Sequence, residues 1–297
     1  MNTGNHIYNN SVLYDISESV HLHSELNNPK SSAAACINVL GNLKYDKNNL
    51  REFLNSFDLN IEEILDFPKG VDIGGEIYDD VGPVIFEWIG PKSSPINEIG
   101  GTRGQRRTSV DAFLIVKIDG MNTQILIEWK YTESYNGEHL RKFSGIEGNE
   151  RLRRYSSVLA ELRKRKDIPF RLDNEKYKNS IGLYYFGYEP FYQLMRFTLL
   201  AKMTTPIQIG EYKIEDYRIV HLTHSKDDNL NILSDNHIQY TPSIDISKEN
   251  SLHKIWKNQL LIEKESQKFK YGFWDKSLNL IKDVNLKTYL IENYNHL

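Results

Sequence analysis

The chain has 297 residues, and its 37 lysines and arginines nearly balance its 40 aspartates and glutamates, giving a formal net charge of −3 at pH 7. This balance excludes a polycationic protein and disorder driven by charge excess, and the single cysteine, Cys36, excludes a disulfide framework and a cysteine-rich zinc module. No apolar run approaches the ~20 residues that span a bilayer, and no signal-peptide pattern opens the chain, so we expect a cytoplasmic protein without a membrane partner.

The first predicted elements are two helices, a strand and a β-hairpin. Ser31 and Ser32 can cap a helix over residues 33–43, and a second helix is predicted over residues 48–65. Residues 84–89 are typical of a strand, and a glycine-rich loop with three arginines follows them. Residues 110–118 and 124–131 are rich in branched and aromatic residues, and Asp119-Gly120 between them is a hairpin turn signal.

The second half of the chain alternates between helical and strand patterns. Helices are predicted over residues 149–166 and 191–203, strands over residues 181–188 and 217–222, and helical patterns from residue 248 onward. The chain shows no internal repeat and no proline- or serine-rich linker. We therefore predict an N-terminal extension (1–30), one α/β core (31–247) and a helical C-terminal segment (248–297) packed on the core.

The predicted hairpin places three polar side chains on one face. With a two-residue turn Asp111 lies opposite Glu128, and with a four-residue loop it lies opposite Lys130. Either register puts all three on the same face, because strand side chains alternate with period two. Directly opposed Cβ atoms lie roughly 4.5–5.5 Å apart, a separation at which two carboxylates repel unless one is protonated or a cation lies between them.

A hard divalent cation suits such a pair of carboxylates. Mg²⁺ prefers oxygen ligands and keeps water molecules in its coordination shell. A lysine on the same face can align or deprotonate a water bound to the ion, and the ion stabilises charge on an attacked phosphate. The three residues therefore fit phosphodiester hydrolysis, although a salt-bridged pair on a solvent-facing hairpin gives the same pattern.

The residues around this face resemble a known superfamily. The runs TSVD (residues 108–111) and IEWKYTE (residues 127–133) are similar to the PD-(D/E)XK superfamily of restriction-endonuclease-like nucleases. A little-characterised bacterial group of that superfamily shares, in the same order, a helix that begins with a serine pair, both motifs and a later FYQLxR helix, here residues 191–196. The resemblance spans roughly residues 31–224.

The resemblance implies a fold, an activity and site residues. The fold is α/β, a restriction-endonuclease-like core in which helices flank a mixed central sheet, with a helical C-terminal extension. The activity is Mg²⁺-dependent cleavage of DNA that leaves a 5′-phosphate and a 3′-hydroxyl, with Mn²⁺ able to replace Mg²⁺ and a role in defence against foreign DNA. Asp111 and Glu128 would bind the metal, and Lys130 would be the catalytic lysine.

Two departures from the superfamily pattern concern the metal site. Val110 stands where the superfamily name has proline. The first helix carries no acid, so the additional acidic ligand that members often use must come from elsewhere. Glu87, at the end of the 84–89 strand, is the first candidate for that ligand, with a structural salt bridge as its alternative role, and Glu25 is the second.

Basic residues beside the hairpin indicate where nucleic acid would lie. Residues 141–166 hold nine basic and three acidic residues, a local net charge of +6. Within them Arg151 and Tyr155, four apart on a helix, are candidate nucleic-acid contacts. The glycine-rich loop adds three more candidates, namely Arg103, Arg106 and Arg107.

The predicted partner is DNA, and the sequence does not separate DNA from RNA. A homodimer is compatible with this function, since cutting both strands with one site per chain usually needs two copies. The rival hypothesis is a catalytically inactive nucleic-acid-binding or interaction module that keeps the nuclease fold. The complete set of Asp111, Glu128 and Lys130 argues against this rival, because a module without catalysis has no need for two facing carboxylates.

Overall fold

The computed structural model describes residues 7–9, 26, 28–79, 81–99, 107–133, 141–171, 183, 186–233 and 249–294. Its centre is a mixed sheet of six strands, namely β1 (Glu63–Leu65), β4 (Ile85–Trp88), β5 (Val110–Ile118), β6 (Met121–Trp129), β9 (Asp216–Thr223) and β10 (Phe269–Phe273). Their order across the sheet is β1-β5-β6-β9-β10, with β4 also paired to β5. Two small hairpins lie outside it, β2 (Val71–Asp72) with β3 (Ile77–Tyr78) and β7 (Ile207–Ile209) with β8 (Tyr212–Ile214).

Helices flank the sheet on both faces. On one face the apolar stripes of α3 (Gly145–Lys164) and α4 (Phe191–Met203) pack into one hydrophobic cluster. On the other face, side chains of three helices form a second cluster, namely α1 (Ser32–Cys36), α2 (Lys47–Asn55) and α8 (Val284–Tyr294). A π-helical turn, Ile37–Gly41, continues α1 and also contributes to this cluster. The remaining helical segments are α5 (Asp228–Asn231), α6 (Leu252–Ile255) with the π-helical turn Trp256–Leu260, α7 (Glu263–Ser266) and the 3₁₀ segment Trp274–Leu280. The predicted fold class, a mixed sheet between helical layers, is confirmed.

The hairpin of β5 and β6 has the shorter of the two predicted loops. Ile118 pairs with Met121 and Ala112 with Ile127, so Asp119-Gly120 is a two-residue turn. Both turn residues have positive φ, +49° and +73°, as the turn that matches the twist of a hairpin requires. Strands β1 and β4 also pair with β5 in antiparallel fashion, whereas β6, β9 and β10 run parallel to one another.

Three predicted elements differ from the structure. The helix predicted over residues 48–65 ends at Asn55, because Asp58 and Asn60 take left-handed conformations (φ +58° each) and lead the chain into β1. The segment from residue 248 onward is not only helical, since it supplies the edge strand β10. The strand predicted over residues 181–188 lies partly outside the described residues, and the predicted domain boundaries stay predictions.

No helix in the described part of the chain combines the length and hydrophobicity needed to cross a bilayer.

Candidate active site

Three neighbouring strands bring three carboxyl groups into one row. The pairs Phe86–Ala112 and Trp88–Val110 flank Glu87 on β4 and Asp111 on β5. The register of β5 with β6, extended by one position beyond its last pair, sets Asp111 opposite Glu128. All three acids and Lys130 line one open cavity of about 590 Å³. The structure thus brings together the residues that the sequence predicted as a site.

Glu87 has an unusual backbone conformation for its place in a strand. Its φ of +56° lies in the left-handed region, which non-glycine residues rarely adopt and which costs about 1–3 kcal/mol. Its carboxylate accepts a hydrogen bond from the hydroxyl of Ser109 at 2.9 Å. The conformation is fixed beside Asp111 at the end of the row, where strained residues are frequently functional.

Glu128 is almost fully buried, with 1% of its surface exposed. Its Oε1 faces the ammonium group of Lys130 at 2.6 Å and accepts a hydrogen bond from Nε2 of Gln193 on α4, also at 2.6 Å. Its Oε2 has no hydrogen-bond partner among the described residues. Burial and the nearby charge of Asp111 raise the pKa of Glu128 well above its usual range, against the opposing effect of Lys130.

Asp111 is tied to the end of β6. One of its carboxylate oxygens accepts a hydrogen bond from the backbone amide of Trp129 at 2.6 Å. This contact crosses the hairpin and holds the carboxylate beside the strand that carries Glu128 and Lys130.

Lys130 lies between two carboxylates. Besides Glu128, its Nζ lies 3.7 Å from Oε1 of Glu133. Glu133 is itself fixed by the hydroxyl of Ser32 at 2.5 Å and by the amides of Tyr131 and Thr132 at 2.9 and 3.1 Å. Burial opposes ionisation of Glu133, but Lys130 and these hydrogen bonds outweigh burial and lower its pKa.

Two residues that contact the site, Glu133 and Gln193, were not among the predicted catalytic, metal-binding or nucleic-acid-binding residues. Strand alternation predicts that Glu133 points away from Lys130, but β6 ends at Trp129, so the alternation does not extend to residue 133. The helix that holds residues 191–196 is predicted mainly as a packing helix, on which Gln193 and Arg196 could face substrate, and no local pattern shows that it crosses the end of β6. The only sequence signal for either is membership of the motifs IEWKYTE and FYQLMR.

The site offers oxygen ligands for a cation. In the part of the chain that the structure describes, Oε2 of Glu128 is buried without a hydrogen-bond partner, and the second carboxylate, Asp111, raises the pKa of Glu128. A bound cation would stabilise both carboxylates. Within the described ranges, no group of three or more His, Cys, Asp or Glu side chains is arranged to hold a metal ion. Asp111 and Glu128 therefore fit a hard divalent ion as a pair, and the role of Glu87 as a further ligand stays a prediction. Glu25 lies outside the described residues.

The predicted nucleic-acid contacts on the glycine-rich loop are only partly visible. Arg107 is buried, and its guanidinium donates to the backbone carbonyls of Ile89 (3.3 Å), Lys92 (2.8 Å) and Pro91. These bonds fasten the loop after β4, although Arg107 also lines the cavity. Arg103 and Arg106 lie outside the described residues.

The two candidates on α3 have different surroundings. Arg151 is partly exposed, with its guanidinium 2.8 Å from Glu147 and 3.0 Å from the carbonyl oxygen of Lys142. Tyr155 is fully buried, and its hydroxyl donates to Glu98 at 2.8 Å. The structure therefore corrects the placement of Tyr155 on a nucleic-acid-binding surface, because the apolar stripe of α3 on which it lies faces the core.

Comparison with known proteins gives one finding. A family model described as "Restriction Endonuclease associating with ARP" matches residues 9–240. The matched range contains every residue that lines the cavity. No curated protein and no solved structure matches the chain significantly.

Proposed function

The chain belongs to the family of restriction endonucleases associating with ARP, and on this premise we propose that it is a Mg²⁺-dependent nuclease of the PD-(D/E)XK type that hydrolyses DNA phosphodiester bonds. The observation that carries the proposal is the meeting of Asp111, Glu128 and Lys130 in one open cavity. A role in the defence of a bacterium against foreign DNA is part of this proposal, as is a homodimer for cutting both strands.

Asp111 and Glu128 would hold the metal ion, with Glu87 beside them. When bound, such an ion supplies a water molecule of lowered pKa and stabilises negative charge on the phosphate. Glu128 would contribute its Oε2, which has no hydrogen-bond partner in the described ranges, while Gln193 and Lys130 fix its Oε1. The ionised form of Glu128, which burial and Asp111 disfavour, is the form that a cation would favour.

Lys130 would position the attacking water. Glu128 and Glu133 hold its ammonium group from two sides, so the Nζ has a defined place at the edge of the cavity. From there it can donate a hydrogen bond to the water or to a phosphate oxygen. In the reaction the water loses a proton to solvent as its oxygen bonds to phosphorus, the bond between phosphorus and the 3′-oxygen breaks, and the 3′-oxygen takes up a proton from solvent. These steps leave a 5′-phosphate and a 3′-hydroxyl.

The test compares cleavage by the wild type, Asp111→Asn and Lys130→Ala on a supercoiled plasmid and on single-stranded DNA and RNA, each with Mg²⁺ or Mn²⁺. We expect both variants to lose about 10²–10⁴-fold in rate, the range for removal of a positioned catalytic group. Lys276→Ala is the control, because Lys276 is exposed and lines none of the described cavities.

Two outcomes would contradict the proposal. If the wild type cuts none of these substrates, the chain is better explained as an inactive module with the nuclease fold. If both variants cut as fast as Lys276→Ala, the cavity is not the catalytic site.

A further inference from the structure

A second, smaller cavity of about 180 Å³ adjoins the catalytic cavity. The side chain of Arg196, on α4, lines both. The second cavity has four basic side chains, namely Lys142, Arg151, Arg154 and Arg196. Its position and charge raise the question of what anion it would bind.

Arg196 is held in one orientation. Its Nε donates to Oε1 of Glu98 at 3.0 Å and to the hydroxyl of Thr108 at 2.9 Å. Its guanidinium carbon lies 5.2 Å from the centre of the Tyr192 ring, within range of a cation–π interaction. Among the described residues, its two terminal nitrogens make no hydrogen bond. The guanidinium is thus fixed on one side and available to a ligand on the other.

The partner of Arg196 is also fixed. Glu98 is buried and accepts hydrogen bonds from the amide of Thr108 at 2.6 Å, from the Thr108 hydroxyl at 2.7 Å and from the Tyr155 hydroxyl at 2.8 Å. This buried set of bonds preorganises Arg196, so little further ordering would be needed when an anion binds.

Three acidic side chains line the second cavity beside its four basic ones, and Glu98 lies behind Arg196 as a fourth acid. Glu147 is paired with Arg151 at 2.8 Å, and Glu189 lies 3.8 Å from Lys142. Burial raises the pKa of Glu189, against the opposing charges of Lys142 and Arg196. Glu150 is the third acid of the lining. Arg154 forms no side-chain ion pair or hydrogen bond within the described part of the chain.

We infer that this second cavity binds the backbone phosphate next to the scissile one, with Arg196 as its fixed anchor and Arg154 as a second contact. The inference rests on the proposed function, since a nucleic-acid strand in the catalytic cavity would pass Arg196 on its way out. A guanidinium suits this role, because its planar fork of donors matches two oxygens of one phosphate.

The test measures binding separately from cleavage. All variants carry Lys130→Ala, and binding to a 12-nucleotide single strand and a 20-base-pair duplex is measured by fluorescence anisotropy at several salt concentrations. Arg196→Lys keeps the positive charge but loses the planar guanidinium that can donate to two phosphate oxygens, so we expect about 10-fold weaker binding. The slope of log affinity against log salt concentration (the salt slope) should not change. Arg154→Ala is expected to reduce the salt slope by about 0.7–0.9, the value for one phosphate contact.

Arg153→Ala is the matched control, since Arg153 is exposed on the same helix and lines none of the described cavities. We expect its effect on affinity and on the salt slope to be the smallest of the three. If Arg196→Lys and Arg154→Ala bind no more weakly than Arg153→Ala, the inference is overturned. Arg154→Ala keeps the test informative if Arg196→Lys fails to fold, because Arg154 does not contact Glu98.

Together with the cleavage assay of the wild type described above, these binding measurements distinguish the inference from the proposed function. If the wild type cleaves DNA but Arg196→Lys and Arg154→Ala bind as tightly as Arg153→Ala, only the inferred phosphate site in the second cavity is overturned. If these two variants bind more weakly than Arg153→Ala but the wild type cleaves nothing, the nuclease proposal is overturned. That result would still support an anion-binding second cavity.

Discussion

Among the single residues, Glu128 lowers the free energy of unfolding because of its place in the active site. Its carboxyl group is buried beside the charge of Asp111, and one of its oxygens has no hydrogen-bond partner among the residues that the structure describes, so it costs folding free energy. Since the folded state raises its pKa, folding is favoured most below the unfolded pKa, near 4.5, and is disfavoured progressively as the pH rises through the folded pKa. Such a cost in folding free energy is expected at a position where a bound ligand, here a cation, offsets it.

We therefore expect Glu128→Gln to be more stable than the wild type at pH 8 by about 1–2 kcal/mol in metal-free buffer. The difference should shrink toward pH 4.5, and added Mg²⁺ should stabilise the wild type but not the variant. Urea denaturation at several pH values measures both effects. Glu211→Gln, at an exposed position, is the control and should change stability by less than about 0.5 kcal/mol. A less stable Glu128→Gln at pH 8 would contradict this account.

Site residues could be predicted only where their positions follow from patterns among residues that are close together in the sequence. Strand alternation and one turn signal were enough to place Asp111, Glu128 and Lys130 on one face. The contacts of Gln193 with Glu128 and of Arg196 with Glu98 join residues far apart in the chain, and no local spacing encodes them. For Tyr155 the local pattern was sufficient. Its position on the apolar stripe of α3 predicts burial more directly than a role on the nucleic-acid-binding surface.

At the scale of elements, the β5–β6 hairpin sets the geometry of the site. A change of its loop from two to four residues would move Lys130 opposite Asp111 in place of Glu128. Strong β propensity and a standard turn made this element predictable. The helix predicted over residues 48–65 was wrong beyond Asn55, because helical spacing continued past two residues, Asp58 and Asn60, that tolerate left-handed conformations and reverse the chain.

Gly120→Ala tests how far the turn stabilises the fold. Gly120 has φ +73°, and an added Cβ would meet no atom within 4 Å, so the cost is conformational rather than steric. We expect a loss of roughly 1–2 kcal/mol in unfolding free energy. Asp119→Asn should be nearly neutral, because asparagine tolerates the left-handed region. Equal stability of Gly120→Ala and the wild type in urea denaturation would show that the turn contributes little.

At the scale of the whole molecule, the C-terminal segment supports the active site. Trp274 is fully buried, its ring centre lies 5.1 Å from that of Trp129, and its Nε1 donates to the carbonyl oxygen of Lys130 at 2.9 Å. The preceding strand β10 completes the parallel side of the sheet. The prediction of a purely helical segment missed this, because parallel pairing joins strands distant in sequence and leaves no hairpin signal.

Trp274→Ala should therefore destabilise the protein by about 3–5 kcal/mol, the cost of removing a large buried aromatic side chain. Phe273→Ala is the neighbouring control, since Phe273 is 38% exposed, and should cost less than about 1 kcal/mol. Urea denaturation compares the two, and similar losses would contradict a supporting role for the buried tryptophan.

We propose that the cavity of Asp111, Glu128 and Lys130 hydrolyses phosphodiester bonds with a divalent metal ion. The most direct measurement is single-turnover cleavage of end-labelled DNA by the wild type with Mg²⁺, with EDTA, and after Mg²⁺ is restored, with the product ends identified. We expect cleavage that stops in EDTA, returns with Mg²⁺ and leaves 5′-phosphate and 3′-hydroxyl ends. Cleavage that continues in EDTA, or that leaves a 3′-phosphate, would contradict this proposal.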